Sequence, residues 1–292
     1  MDGPVDAVTV RLETLPDAAA AARRGAELIA AVAREAVAER GGCAIAVSGG
    51  TTPLPMFAAL ADQDVPWSEL GIWQVDERIA PRDHEDRNLT DLLASLPRVA
   101  RVHEMPVDGG ADGLEARAAT YDTGLPARFD LVHLGLGDDG HTASLVPGDP
   151  VLDVHDRDVA ITGMYRGRQR MTLTFPVLDR ARSVLFLVTG EEKAAPLRKL
   201  LARDPSIPAA RVRAADQLAI VDLAAVGRSG SGREGKTEAV PIDTSTPKRQ
   251  HLDAMLDEAG LESFPASDPP AIMVDEQSFD ELGQADQTSV SE

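Results

Sequence analysis

The chain has 292 residues, of which 43% are hydrophobic, and its 48 acidic and 29 basic side chains give a formal net charge of −19. That charge excludes a nucleic-acid-binding face, which phosphates require to be basic, while the apolar content supplies a core for one large domain or two. The single cysteine, Cys43, excludes an internal disulfide and a cysteine-rich metal site and fits a reducing compartment.

The amino-terminal MDGPVDAVTV has neither a basic n-region nor an apolar h-region, and no apolar stretch reaches membrane-spanning length. The expectation is a cytoplasmic protein with no membrane and no nucleic-acid partner. Val5–Leu12 alternates like a short strand. Asp17–Arg40 predicts a helix with Asp17 as N-cap and Gly41-Gly42 as the stop, and Leu28, Ile29, Val32, Ala36 and Val37 share its buried face.

Cys43–Val47 predicts a buried strand that runs into Ser48-Gly49-Gly50-Thr51-Thr52-Pro53, and Leu54–Ala61 predicts a helix with Pro53 or Pro55 in its first turn. Strand, glycine-rich loop, then helix N-terminus is an arrangement that binds phosphate through backbone N–H groups and the helix dipole. Gly49 and Gly50 allow close approach, and the hydroxyls of Ser48, Thr51 and Thr52 add donors. An ordinary strand-to-helix turn with a threonine cap is the competing reading.

Gly71–Val75 predicts another strand, ending in Asp76-Glu77-Arg78, where charged groups enter the same crevice. A loop follows to Asn88, the expected N-cap of a helix over Leu89–Leu96. Arg101–Met105 reads as a weak strand and Leu114–Tyr121 as a helix.

The most informative stretch is Phe129–Pro147, FDLVHLGLGDDGHTASLVP. Its apolar run ends abruptly in Gly135, Gly137, Gly140, two aspartates and His141, as a buried parallel strand does when it delivers polar groups to the rim of a sheet. The glycines fit a dinucleotide fingerprint, but Pro147, Gly148 and Pro150 cut off the long helix that fingerprint needs. Asp138 and Asp139 would also oppose a pyrophosphate.

Val159–Thr162 and Arg170–Thr174 predict strands, Pro176–Ala181 a short helix and Ser183–Val188 a fully apolar strand ending in Thr189-Gly190-Glu191-Glu192-Lys193. A helix over Glu191–Arg203 would carry Lys193 in its first turn, where the dipole disfavours cations, so an anionic ligand is a reason to keep it there. Leu218–Leu223 reads as the last strand. From about Gly227 the chain turns glycine- and serine-rich, then acidic, and roughly half of the net negative charge falls in the last sixty-odd residues. The expected organisation is an α/β domain over 1–227 and a disordered acidic tail over 228–292, with a short amphipathic helix at Pro247–Ala259.

Together SGGTTP, DER, GLGDDGHTASL and TGEEK, in that order, resemble the 6-phosphogluconolactonase family, within the wider group that includes the glucosamine-6-phosphate deaminases. The most specific match is Gly135–Pro147 against G-x-G-x-D-G-H-T-A-S-L-F-P, and Trp73–Asn88 resembles the family's D-E-R-x-V-P…S-N stretch. Arg87 departs from a serine and is expected to alter the crevice rim; Val146 departs from a phenylalanine and is expected to be packing.

The resemblance implies a doubly wound, mainly parallel sheet with helices on both faces. It also implies hydrolysis of 6-phospho-D-glucono-1,5-lactone without metal or organic cofactor. His141 would be the general base, suited by an imidazole's titration near neutral pH, and Asp139 would orient it. The Ser48–Thr52 loop, Arg78, Arg170 and Lys193 would hold the phosphate, with Asp76 and Asn88 also at the substrate. Arg168 competes with Arg170 for its role, and the oxyanion donor is open between the N–H groups of Gly49–Gly50 and those near Gly140.

An amino-sugar-phosphate deaminase is the alternative enzyme, disfavoured because HTASLVPG lacks the glutamate of that loop. A sugar-phosphate sensor is the alternative outside catalysis, disfavoured by the lack of a helix-turn-helix. The expected partner is a small sugar-phosphate lactone, the expected state a monomer or weak homodimer. The tail reads as a solubilising appendage, with a docking peptide for an unknown partner as the alternative.

Overall fold

The computed structural model describes residues 9–109 and 113–227. The expected tail, its Pro247–Ala259 helix and the first residues of the expected Val5–Leu12 strand lie outside the described residues. Ten strands and six α-helices occupy the described chain: β1 (Val10–Leu15), α1 (Ala18–Arg40), β2 (Cys43–Val47), α2 (Leu54–Ala61), β3 (Leu70–Gln74), β4 (Asp76–Arg78), α3 (Asn88–Ser95), β5 (Arg101–His103), α4 (Leu114–Thr123), β6 (Leu131–Leu134), β7 (Val159–Ile161), β8 (Arg170–Leu173), α5 (Phe175–Asp179), β9 (Ser183–Val188), α6 (Ala194–Leu201) and β10 (Gln217–Asp222).

Seven strands form one sheet in the order β1-β10-β9-β6-β2-β3-β5, and every neighbouring pair is parallel. β1 runs on to Leu15, past the expected end at Leu12. Val10 pairs with Gln217 and Leu15 with Asp222, so the register with β10, rather than local alternation, sets where β1 runs.

Because the side chains of a strand alternate between faces, a parallel sheet flanked on both sides must be apolar throughout. Ile45, Val47, Ile72, Leu131, Leu185 and Leu187 pack with α1 and α2 on one face. Val132, Leu134, Val184, Phe186 and Val188 pack with residues of α4, α5 and α6 on the other. Ile29 of α1 is fully buried, and burying a side chain of that size stabilises by about 1.5–3 kcal/mol. Asp17 caps α1 as expected, its carboxylate accepting from Ala20 N at 2.7 Å.

The other three strands form a separate antiparallel sheet in the order β4-β8-β7. β7 and β8 are strands, as the sequence predicts, and the structure adds which sheet they join. Val75 joins the two sheets: its N–H donates to Val47 O (3.0 Å) and its carbonyl accepts from Leu173 N (2.7 Å). Among the described residues no helix is long and apolar enough to cross a membrane.

Candidate active site

The loops that follow β2, β6 and β9 meet β4 and β8 at the carboxyl end of the main sheet. They enclose a cavity of about 230 Å³, bordered by the Ser48–Thr52 loop, Asp76, Arg78, Asn88, His141, Arg166, Arg170 and Lys193. Every expected site residue borders it except Asp139, which stands behind His141. A larger cavity, about 410 Å³, opens elsewhere, beside Arg40, Trp73, Asp130 and Arg182. It holds none of the glycine-rich loops, and Arg40 and Arg182 are both paired with Asp130, at 3.0 and 3.1 Å.

His141 Nδ1 lies 2.6 Å from Asp139 Oδ1. At that distance from a carboxylate oxygen Nδ1 must carry a proton, which leaves the lone pair on Nε2. The same oxygen accepts from His141 N at 3.0 Å, so one aspartate holds both the backbone and the ring. Burial raises the Asp139 carboxyl pKa, but the bonds and charge of His141 and the Tyr165 hydroxyl outweigh it, and the net value lies below the ordinary one. Gly137 is required here: a Cβ at that position would fall 2.0 Å from His141 Nδ1.

The Asp76-Glu77-Arg78 triplet separates by strand alternation. Asp76 borders the cavity and accepts from Ser144 Oγ at 2.5 Å. Glu77 is fully buried and accepts from Gln74 Nε2 (2.8 Å), Arg78 N (2.8 Å), Asn88 N (2.9 Å) and Leu89 N (2.9 Å). Glu77 therefore caps α3 from a distance, and Asn88 is the first residue of that helix rather than its N-cap. Asn88 instead accepts from Arg78 Nη1 (2.8 Å) and donates to Asp76 O (3.2 Å), close enough to the loop that a Cβ on Gly49 would meet it at 2.2 Å.

Arg87 does not shape the crevice rim. It is 1% exposed, 3.1 Å from Glu77, and donates to Ala80 O (3.0 Å) and Asp108 (2.6 Å). A buried charge needs partners of this kind. Val146 is buried, as packing requires.

Arg168 and Arg170 point to different tasks. Arg168 Nε donates to Asp86 (2.6 Å) and its Nη2 lies 3.1 Å from His84. Arg170 is buried at the cavity wall, its Nε has no hydrogen-bond partner among the described residues, and burial lowers its pKa. Lys193 precedes α6 as its capping residue, in a 3₁₀ turn over Glu191–Lys193, instead of lying inside one long helix. Its backbone N–H donates to Gly190 O at 3.1 Å, while its side-chain ammonium makes no hydrogen bond or ion pair among the described residues. The Gly140 N–H is taken by Gly137 O at 3.1 Å, which removes it as an oxyanion donor.

His133 borders the cavity, 1% exposed, with its ring edge-on to Phe57 and neither ring nitrogen partnered among the described residues. Burial pushes its pKa down to about 3. Asp138, Asp139 and His141 place their ligand atoms within 4.8 Å of one another, a spacing that a cation could bridge. Each carboxylate is already engaged, however, Asp139 by His141 and Asp138 by Arg166 at 3.0 Å.

Sequence reading missed Tyr165 and Arg166. They sit on the turn between β7 and β8, and the Tyr165 hydroxyl donates to Asp139 Oδ2 at 3.0 Å. The GMYRGR segment shows a glycine-flanked turn, but nothing in it marks which loop the turn meets.

A family model described as glucosamine-6-phosphate isomerases/6-phosphogluconolactonase matches residues 16–221. The chain belongs to that family. It is 44% identical over 184 residues to the 6-phosphogluconolactonase of a Synechocystis species, covering 58% of this chain and 75% of the relative. To the 6-phosphogluconolactonase of a Nostoc species it is 37% identical over 204 residues, covering 65% and 85%. The crystal structure of the Thermotoga maritima 6-phosphogluconolactonase superposes with a TM-score of 0.65 at 28% identity, over 73% of this chain and 99% of that one. A monomeric glucosamine-6-phosphate deaminase shares the fold, with a TM-score of 0.66 at 16% identity over 75% of this chain and 99% of that one.

Proposed function

We propose that this chain hydrolyses 6-phospho-D-glucono-1,5-lactone to 6-phospho-D-gluconate. The observation that carries the reading is the His141–Asp139 pair, 2.6 Å apart, at the rim of a cavity walled by Arg78, Arg170 and Lys193. A base and a set of cations border one cavity.

In this reading the phosphate rests on the Ser48–Thr52 loop at the N-terminal end of α2, where backbone N–H groups and the dipole favour an anion. Arg78, Arg170 and Lys193 add charge-assisted hydrogen bonds. The unpartnered Nε of buried Arg170 supports this role, because a buried guanidinium group leaves no donor idle at no cost. Asp76 and Asn88 face the sugar hydroxyls.

His141 Nε2 takes a proton from water as the water oxygen attacks the lactone carbonyl. Asp139 holds the ring in the required tautomer and stabilises the imidazolium. When the tetrahedral intermediate collapses, the bond from the carbonyl carbon to the ring oxygen breaks, and the imidazolium returns its proton to that oxygen. The proton count closes without a co-reactant.

Residues 1–227 make the catalytic unit in this reading, acting in the cytoplasm as a monomer or weak homodimer, with residues 228–292 as an appendage. A coupled assay tests it. The lactone is generated in situ and 6-phosphogluconate is followed with its dehydrogenase, corrected for spontaneous hydrolysis, with ammonia release from glucosamine 6-phosphate measured alongside. Acceleration with the lactone alone is expected; ammonia release, or acceleration with neither, would overturn the reading.

A further inference from the structure

We infer that Tyr165 is a positioning residue for the Asp139–His141 pair, acting through the second oxygen of the Asp139 carboxylate; this rests on the general-base reading of His141. Asp139 Oδ1 is occupied by His141, through both N (3.0 Å) and Nδ1 (2.6 Å). Among the described residues Oδ2 has one partner, the Tyr165 hydroxyl at 3.0 Å. A carboxylate held at one oxygen can still swing about its Cβ–Cγ bond, and a donor on the other oxygen fixes its plane.

The hydroxyl is not needed to hold the turn that carries it. Tyr165 and Arg168 already exchange two backbone hydrogen bonds, at 3.0 and 3.2 Å. Arg166 ties the same turn to the catalytic loop through Asp138 at 3.0 Å. The ring is also held independently, with the Arg166 and Arg170 guanidinium groups 5.2 and 5.1 Å from its centroid and the His141 ring edge-on at 5.5 Å. What the hydroxyl adds beyond these is the orientation and partial neutralisation of Asp139.

The groups facing Tyr165 are Asp138, Asp139 and His141 from the loop after β6, Arg166 from its own turn and Arg170 from β8. Burial, followed by the bond to Asp139, raises the tyrosine pKa, so the hydroxyl keeps its proton and remains the donor. Withdrawing that donor leaves more negative charge on the carboxylate facing the imidazole. Protonation of the ring becomes easier, and more of the base is blocked on the acid side.

The test is Tyr165→Phe, which keeps the ring and its stacking on both arginines. The expected result is kcat lower by about fivefold to tenfold, on the scale of one lost hydrogen bond to a charged group, with KM changed less than about twofold. The acid limb of the kcat/KM profile should move to higher pH by a few tenths of a unit. His141→Ala is assayed in parallel. If His141→Ala is inactive while Tyr165→Phe keeps the wild-type kcat, or loses rate with an unmoved acid limb, the role of Tyr165 is overturned alone. If His141→Ala keeps full activity, the general-base reading fails whatever Tyr165→Phe does.

Discussion

Asp139 and His141, separated in sequence only by Gly140, are joined twice through one carboxylate oxygen, at 3.0 Å to the backbone N–H and 2.6 Å to the ring. The short spacing makes the pair a rigid local unit. Asp139→Asn tests whether the charge and the acceptor matter beyond the geometry. An amide can present its NH₂ to Nδ1 and so favour the wrong tautomer, and kcat should fall by about 10²–10⁴ with KM nearly unchanged. A variant at wild-type rate would remove Asp139 from the mechanism.

The Lys193 side chain borders the cavity with no partner among the described residues. Lys193→Ala should raise KM for the phosphorylated lactone by about tenfold or more, the loss of one charge-assisted contact, while kcat changes less. Inhibition by inorganic phosphate should weaken in step. An unchanged KM would separate Lys193 from the phosphate.

Arg168 and Arg170 should part in the same assay. Arg170→Ala removes the buried guanidinium group of the cavity and should raise KM about tenfold or more. Arg168→Ala breaks a solvent-screened pair with Asp86 and should leave KM alone. The reverse pattern would exchange their roles.

Much of this site is legible in the sequence because it is local. Apolar runs such as Leu131–Leu134 and Ser183–Val188 end in glycine and charge, and that transition marks a parallel strand reaching the rim of its sheet. The Asp139–His141 pair needs only two residues of spacing. What was not legible depends on partners distant in sequence. Glu77 caps α3 across 11 residues and so displaces Asn88 from the cap, and Tyr165 reaches Asp139 across 26. Arg87 reads as a rim residue because arginine is normally exposed; only its pairing with Glu77 and Asp108 makes its burial tolerable. β7 and β8 carry ordinary strand patterns that do not say which sheet they join.

His133 gives the fold a measurable pH dependence. With its folded pKa near 3 and an ordinary value of 6.5, its contribution is fully present above pH 6.5 and is lost as pH falls from there toward 3. The slope is about 1.4 kcal/mol per pH unit at most, since only the unfolded chain takes up the proton. His133→Leu should flatten that part of the stability profile in urea titrations. It should also raise stability at pH 7 by about 1 kcal/mol, because two unpartnered buried nitrogens are removed. An unchanged slope below pH 6.5 would show that the ring is not buried in its neutral form.

The central claim is that His141 activates the water that opens the lactone. It is tested most directly by comparing purified wild-type chain and His141→Ala in the coupled lactone assay, with circular dichroism to confirm that the fold is kept. The expected result is a kcat lower by about 10²–10⁴ in a variant that remains folded, the usual share of general-base catalysis. A folded His141→Ala protein that hydrolyses the lactone at the wild-type rate would contradict the account.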